Sequence, residues 1–276
     1  FFRQGEYNMS KKNNHKKLPD ELLTEEEIEK LIRACQSQRD KALFATLAES
    51  GCRIGEIANL KIKDVFFDEY GGKISVTGKT GARIVRLVNS SPYLHEWINN
   101  HPYNNNRENY LWINLKGKPV TYTRIASILK NSSRRAGINK RVHPHLLRHS
   151  RATYLAGYLT EAQMKDYLGW VQASKMAGIY VHMNGRDTDK AVLKLNGIKV
   201  DEERKEQKLQ PKHCLRCKTM NEVTNRFCKI CGFVLDQEEA NKIIENDLKR
   251  NQADELMNKL VNDPEVLDLI RKKLSI

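Results

Sequence analysis

Between residues 60 and 90 the spacing of apolar residues changes from that of helices to that of strands, which limits the folds open to this chain. Three short runs rich in β-branched and aromatic residues, at 65–67, 74–77 and 84–88, are separated by glycine turns. This pattern predicts a small antiparallel sheet. On both sides of it, apolar residues recur at helical spacing. The sequence therefore predicts an α+β domain that is mostly helical and carries one small antiparallel sheet.

The predicted helices carry recognisable end signals. Thr24 followed by Glu27 forms a capping box that predicts a helix start, and Gly51 predicts a left-handed cap at the end of the second helix. The predicted helices span residues 24–35, 41–50, 53–60, 92–100, 121–136, 145–157, 160–168, 172–181 and 185–194.

Composition shifts along the chain predict five parts. They are a basic N-terminal segment at 1–19, a main domain at 20–200, a charged linker at 201–212, a small module at 213–236 and a helical C-terminal region at 237–276. In the last part, helical spacing resumes at Ile244, Leu248, Leu256 and Leu260, and we expect this tail to pack on the main domain or on another subunit. Because the first residue is Phe1, we expect a fragment or a processed product.

The charge balance indicates a polyanionic partner. Lysines and arginines number 48 against 34 acidic residues, a net charge of +14. No acidic residue occurs between Asn109 and Thr160. That stretch contains ten basic residues: Lys116, Lys118, Arg124, Lys130, Arg134, Arg135, Lys140, Arg141, Arg148 and Arg151. Such a surface suits a nucleic-acid backbone better than a solvated face, which normally mixes charges, and an anionic membrane is the weaker alternative.

The same sequence carries no membrane or export signal. No apolar run approaches the ~20 residues that a bilayer-spanning helix needs, and the N-terminal residues lack the apolar stretch of a signal peptide. We therefore expect a cytoplasmic, nucleoid-associated protein without a membrane partner.

Four of the six cysteines form two CxxC pairs. They are Cys214, Cys217, Cys228 and Cys231. Four thiolates at this spacing can close a tetrahedral zinc site, and so short a segment has too little apolar material to fold alone. Disulfides or unrelated thiols are the weaker alternative in a cytosolic protein. The sequence thus predicts a zinc-ribbon-like module with one structural zinc per chain, whereas Cys35 and Cys52 are expected to be buried apolar residues.

The most informative sequence words are HLLRHS at 145–150, LGW at 168–170, IYVH at 179–182 and, upstream, ESGCRIGEI at 49–57. In these words the chain resembles the tyrosine recombinases, the phage-integrase and Xer-type family, from about Leu18 to Leu195. The resemblance implies that the main domain is a catalytic domain. It also implies an N-terminal helical domain that completes a clamp around DNA, for which the residues before Thr24 are too few.

The resemblance implies a catalytic set, each member on a matching position. An arginine follows a helix-ending glycine, a lysine lies in a hairpin turn, a His-x-x-Arg pair precedes a His-or-Trp position, and a tyrosine is the nucleophile. The matching residues are Arg53, Lys79, His145, Arg148, Trp170 and Tyr180, with Glu56 in a supporting role. The family's chemistry is DNA cleavage through a 3′-phosphotyrosine with a free 5′ hydroxyl, so neither ATP nor a catalytic metal is expected.

These residue types also suit attack on a phosphodiester. Two guanidiniums, Arg53 and Arg148, can bind the negative charge that gathers on the non-bridging oxygens. Tyrosine is a weak nucleophile at its ordinary pKa, so it needs a hydrogen-bonding or proton-accepting neighbour, for which His145 is the candidate. Lys79 on a mobile turn can protonate the leaving 5′ oxygen. Glu56 is expected to support the site by orienting a neighbouring cation, and Trp170 can serve the core as well as the site.

The function expected from this resemblance is site-specific DNA recombination, for integration and excision of a mobile element or for dimer resolution. The expected partner is double-stranded DNA, bound by a homo-tetramer, while the free protein can be a monomer. Two alternatives stay open: a type IB topoisomerase-like enzyme and a non-catalytic DNA-binding regulator. The target sequence, cis or trans cleavage and the role of the C-terminal parts do not follow from the sequence.

Overall fold

The computed structural model describes residues 21–183, 192–193, 196, 209–262, 264, 266 and 272–273. The chain divides into two compact units, Phe1–Leu209 and Gln210–Ile276. Most of the predicted helix at 185–194 and of the predicted linker lies outside the described residues. Within those residues, no helix is both long enough and apolar enough to cross a membrane.

The first unit contains eight helices and one sheet in its described part. In chain order they are α1 (Glu25–Arg33), α2 (Gln38–Ser50), α3 (Ile54–Ala58), a 3-10 turn (Ile62–Asp64), β1 (Val65–Asp68), β2 (Gly71–Gly78), β3 (Gly81–Leu87), α4 (Ser91–Asn99), α5 (Tyr122–Arg135), α6 (Pro144–Ala156), α7 (Glu161–Leu168) and α8 (Met176–Met183). The predicted α+β class is confirmed.

The sheet is antiparallel throughout, in the order β1-β2-β3. Ile74 at its centre pairs with Val65 on one side and Val85 on the other, and all three side chains are buried. One sheet face therefore packs against helices. The pair Gly78 and Gly81 closes the β2–β3 hairpin, so the turn between them lies at the tip.

Helix α2 lies at the centre of the first unit, in contact with α1, α4, α6 and β3. Its Leu43 and Phe44 are fully buried. The helix ends at Gly51, whose φ of 59° is left-handed, so the predicted cap is confirmed. A side chain there would press on Leu168 and Arg151, which shows how closely α6 and α7 approach this helix end.

The second unit holds a two-stranded sheet, β4 (Lys212–His213) with β5 (Met220–Asn221), and a long helix, α9 (Gln237–Val261). Lys212, expected in the linker, pairs with Asn221 instead. Helix α9 has no buried residue. The packing of this tail, on the main domain or on another subunit, stays a prediction.

A buried carboxylate ties α2 to the chain between β3 and α4. Glu49 accepts hydrogen bonds from the backbone N–H groups of Val88, Asn89 and Ser90, at 2.7 to 2.9 Å, and from the Ser90 hydroxyl. Since three successive amides depend on one carboxylate, its removal leaves buried donors without an acceptor.

We expect Glu49→Ala to lower the free energy of unfolding by about 3 kcal/mol, because hydrogen bonds to a charged group are strong and the two donors of Ser90 stay buried. Urea unfolding of the full chain measures it. The matched control is Glu29→Ala, which removes an exposed ion pair with Arg33 and is expected to cost under about 1 kcal/mol. Equal losses in the two variants would contradict the assigned role of Glu49.

Candidate active site

Arg148 is a buried arginine in the middle of α6. Its Nη1 donates to the carbonyl of Gly51 at 2.6 Å, and its Nη2 donates to the carbonyl of Leu168 at 2.8 Å. These carbonyls stand at the C-terminal ends of α2 and α7, where helix dipoles favour a cation. Burial, reinforced by the nearby charge of Arg53, lowers the pKa of Arg148 to about 10. The group therefore stays charged at neutral pH.

Arg53 caps the start of α3 and lies at the edge of the same region. Its Nη1 donates to Glu56 Oε1 and to the carbonyl of Gly169, both at 3.1 Å. Its backbone N–H donates to Glu56 Oε2 at 2.9 Å. Because 35% of its side chain is exposed, the remaining donors of Arg53 are accessible from solvent.

Glu56 is buried between two arginines. Besides Arg53, it accepts hydrogen bonds from Arg83 Nη1 at 3.1 Å and Arg83 Nη2 at 2.8 Å. Burial alone raises the pKa of Glu56, but the hydrogen bonds from Arg83 and Arg53 outweigh it and hold the pKa below its ordinary value. The carboxylate is therefore ionised. Sequence reasoning did not single out Arg83.

Tyr180, on α8, is packed against Trp170. Their rings are stacked with centroids 5.7 Å apart and an interplanar angle of 6°, and the guanidinium carbon of Arg148 lies 5.4 Å from the Trp170 centroid. Only 6% of Tyr180 is exposed. Burial raises the pKa of its hydroxyl, and the charge of Arg148 opposes that rise in part.

The hydroxyl of Tyr180 forms a hydrogen bond with Nδ1 of His149. The sequence singled out His145 for this position, but the His145 side chain is exposed, and the histidine bonded to the Tyr180 hydroxyl is His149. The two histidines are four residues apart on α6 and so share a helix face. His149 is the second histidine of the word HLLRHS, and the sequence alone does not distinguish which of the two meets Tyr180.

Lys79 is exposed at the tip of the β2–β3 hairpin. Among the described residues, no hydrogen bond or ion pair joins it to Arg53, Arg148 or Tyr180. The closing pair of the hairpin lies close to Glu56, since a Cβ at Gly78 would collide with the Glu56 carboxylate. The structure thus brings together Arg53, Glu56, Arg148, Trp170 and Tyr180, and leaves Lys79 and His145 at the exposed rim.

The sequence profile of the phage integrase family matches residues 21–186, more than half of the chain. The chain belongs to the phage integrase family. Among curated proteins it is similar to the tyrosine recombinase XerC of Staphylococcus aureus, strain MSSA476, with 29% identity over 180 residues. That alignment covers 61% of this chain and 59% of XerC, so the chain spans about three fifths of the curated relatives it matches.

Solved structures agree with this family membership. The XerA recombinase aligns with a TM-score of 0.53 and 26% identity, covering 69% of this chain and 67% of XerA. The XerH site-specific recombinase, in a post-cleavage complex with the palindromic difH substrate, aligns with a TM-score of 0.52 and 26% identity, covering 70% of this chain and 60% of XerH. The resemblance inferred from the sequence words is confirmed.

The four CxxC cysteines lie beyond the residues matched to the phage integrase family, and their sulfurs cluster. All four Sγ atoms lie within 4.8 Å of one another, with Cys214–Cys231 and Cys217–Cys228 each 3.5 Å apart. A tetrahedron with Zn–S bonds of about 2.3 Å has edges of about 3.8 Å. Asn221 is buried beside the cluster and directs its Nδ2 at Cys228 Sγ. The donor set could therefore hold one metal ion and is too widely spaced for disulfides.

We expect the stability cost of Glu56→Gln to depend on pH. The pKa of Glu56 is lowered by folding, so its ionised form contributes stability above the ordinary carboxyl pKa of about 4.3, and that contribution is lost as pH falls through the lower folded value. At about pH 7 the loss should be about 2 kcal/mol.

Urea unfolding of the wild type and Glu56→Gln at a series of pH values from neutral to about 3.5 tests this expectation. The difference between the two proteins should shrink at the acid end. A difference that stays constant or grows on acidification would show that Glu56 is not an ionised partner of Arg83 and Arg53.

Proposed function

We propose that this chain is a site-specific DNA recombinase of the integrase type, which cleaves and rejoins DNA strands through a 3′-phosphotyrosine at Tyr180. One observation carries the proposal: the Tyr180 hydroxyl is hydrogen-bonded to His149 beside a buried, charged Arg148. A phenol with a proton acceptor at its oxygen and a fixed cation nearby is the arrangement that attack on a phosphodiester needs.

In this proposal the two arginines bind the scissile phosphate. Arg148 uses one donor on each Nη atom for backbone carbonyls, which leaves three of its five N–H donors. Arg53 presents its accessible donors from the neighbouring edge. As the phosphorus gains a fifth oxygen, charge grows on the non-bridging oxygens, and both guanidiniums bind them more strongly than in the ground state.

The nucleophile needs two changes before it can attack. Tyr180 is almost fully buried, so DNA binding has to expose its hydroxyl to the phosphorus. Its pKa is raised, so it also has to lose its proton during attack, and His149 Nδ1 is placed to accept that proton. His145, exposed one helical turn earlier, is proposed to contact the phosphate. Trp170 supports the ring of Tyr180 from the other side.

The bonds exchanged in this step balance. The Tyr180 oxygen forms a bond to phosphorus, the bond from phosphorus to the 5′ oxygen breaks, and Lys79 at the hairpin tip donates the proton that the leaving oxygen takes up. One phosphodiester replaces another, so the proposed reaction needs no ATP and no catalytic metal. The reverse reaction, with a 5′ hydroxyl from a second duplex, completes strand exchange.

The proposed partner is double-stranded DNA. Seven of the ten basic residues between Asn109 and Thr160 are exposed: Lys116, Lys118, Arg124, Lys130, Arg134, Arg135 and Arg141. Their charges favour a phosphate backbone by releasing its counterions. Exchange between two duplexes requires several subunits, and we propose a homo-tetramer on DNA that forms from free monomers. A DNA substrate places the enzyme with the nucleoid in the cytoplasm.

We also propose that Cys214, Cys217, Cys228 and Cys231 hold one structural zinc. The spacing of the four sulfurs supports this zinc site. The small sheet of the second unit also supports it, since the strands β4 and β5 are only two residues long. An ion bound by four thiolates supplies folding energy that so small a sheet lacks.

Tyr180→Phe is expected to abolish covalent attachment to DNA while leaving DNA affinity nearly unchanged, because the hydroxyl is the nucleophile and adds little to backbone binding. The full chain is incubated with nicked duplexes prepared from genomic DNA of its source, and the denatured mixture is examined for protein that migrates with DNA. Tyr158→Phe, at an exposed tyrosine, is the matched control and should attach normally.

An adduct that persists in Tyr180→Phe would contradict the assignment of the nucleophile. The duplexes recovered from the wild-type adduct are then paired to test exchange. Products joining two duplexes support a recombinase, whereas sequence-independent relaxation of supercoiled plasmids without such products would indicate a topoisomerase.

Freshly purified, reduced protein is expected to contain about one zinc per chain. Chelation should unfold roughly residues 212–236 and leave the first unit folded, because the ion closes only the second unit. Cys228→Ser should lose the metal, while Cys35→Ser, at a buried cysteine outside the cluster, should keep it. Elemental analysis that finds no zinc in the wild type, or equal loss in both variants, would contradict the site.

A further inference from the structure

We infer that Arg83 is a positioning residue for the DNA cleavage reaction. Through Glu56, Arg83 holds the phosphate-binding Arg53 in place. The inference rests on the proposed function. Arg83 lies on β3, and only 10% of its side chain is exposed. No part of the family resemblance in the sequence words includes it.

The donors of Arg83 are directed into the protein. Its Nη1 and Nη2 donate to the two oxygens of Glu56, its Nε donates to the carbonyl of Tyr167 at 3.0 Å, and its Nη2 also donates to Cys52 Sγ at 3.3 Å. These contacts occupy four of the five N–H donors of a guanidinium. Arg83 is therefore not itself placed to bind a DNA phosphate.

The Glu56 carboxylate connects Arg83 to Arg53. Each of its oxygens accepts one hydrogen bond from Arg83 and one from Arg53: Oε1 from the two Nη1 atoms, and Oε2 from Arg83 Nη2 and the Arg53 backbone N–H. Arg53 is partly exposed, and a long side chain of this kind has many rotamers. The rigid strand that carries Arg83 fixes the carboxylate, and the carboxylate selects the rotamer of Arg53.

Arg83 also packs against the second group that holds Arg53. The carbonyl of Gly169 accepts from Arg53 Nη1, and Gly169 is left-handed with a φ of 63°. A Cβ on Gly169 would lie 2.5 Å from Arg83 Nη1, so the guanidinium fits beside residue 169 because glycine has no side chain. Arg83 thus contacts both acceptors of Arg53: it donates to the Glu56 carboxylate and packs closely against Gly169. Trp170, the residue after Gly169, stacks on the ring of Tyr180.

A positioning role and a purely structural ion pair predict different kinetics. If Arg83 aligns the charge of Arg53 with the scissile phosphate, its loss matters less when a methyl group replaces one charged non-bridging oxygen, because less negative charge then needs binding. A general loss of structure would slow cleavage of both phosphates by the same factor.

The test uses the full chain and the nicked duplex recovered with the wild-type adduct, made once with an ordinary and once with a methylphosphonate scissile phosphate. The rate of covalent attachment is measured at saturating DNA for Arg83→Met and Arg83→Lys. The matched control is Arg86→Met, which removes an arginine of the same strand whose exposed ion pair with Asp68 lies away from the site.

On the ordinary phosphate we expect Arg83→Met to attach roughly 100-fold more slowly, the scale of a misplaced catalytic group, with DNA affinity unchanged. Arg83→Lys should also be slow, since one ammonium cannot span both carboxylate oxygens and the Tyr167 carbonyl. Arg86→Met should match the wild type. On the methylphosphonate the loss in Arg83→Met should fall below about 10-fold.

Wild-type rates in Arg83→Met, or the same loss on both phosphates, would overturn the inference. If Arg83→Met does not fold, the neutral pair Arg83→Met with Glu56→Gln removes the unpaired charge. A folded double variant should attach no faster than Glu56→Gln alone, and wild-type attachment by it overturns the inference. A wild-type chain that never attaches to DNA overturns the proposed function, and the inference with it.

Discussion

The site depends on one buried cation, Arg148, which two helix ends hold in place. Burying a charge is costly unless it is paired, and a carboxylate partner would cancel it. Here the partners are the carbonyls of Gly51 and Leu168, which are neutral groups at the negative ends of helix dipoles. The charge is thus stabilised but not neutralised. A cation prepared in this way is available for a phosphate, and Trp170 and Tyr180 are arranged around it.

The pair formed by Arg83 and Glu56 follows the opposite rule. Arg83 and Glu56 neutralise each other and serve as a fixed support, while Arg53 contacts the same carboxylate and keeps accessible donors. Three arginines of one site therefore differ in what they contact. Arg148 is held by backbone carbonyls, and the charge of Arg83 is neutralised by the Glu56 carboxylate. Arg53 contacts that carboxylate and is partly exposed to solvent. This division explains how closely spaced like charges coexist in the first unit.

Much of this architecture was predictable because it is local in the sequence. The capping box at Thr24, the left-handed Gly51 and the three β-rich runs depend on neighbouring residues, and the structure contains all of them. The strands are longer than predicted, since pairing extends into the flanking glycines. His149 and Arg83 were not predicted as site residues because their roles arise from tertiary contacts with α8 and α3. Sequence spacing shows which residues share a helix face but not which one a distant element meets.

In the proposed reaction, Tyr180 becomes bonded to the 3′ phosphate of a cleaved DNA strand. The most direct measurement is mass spectrometry of the protein–DNA adduct after nuclease and trypsin digestion. The expected tryptic peptide spans 176–186 and contains Tyr180 as its only tyrosine. We expect this peptide with a nucleotide attached through its 3′ phosphate to Tyr180. A nucleotide on another residue, or linkage through a 5′ phosphate, would contradict it.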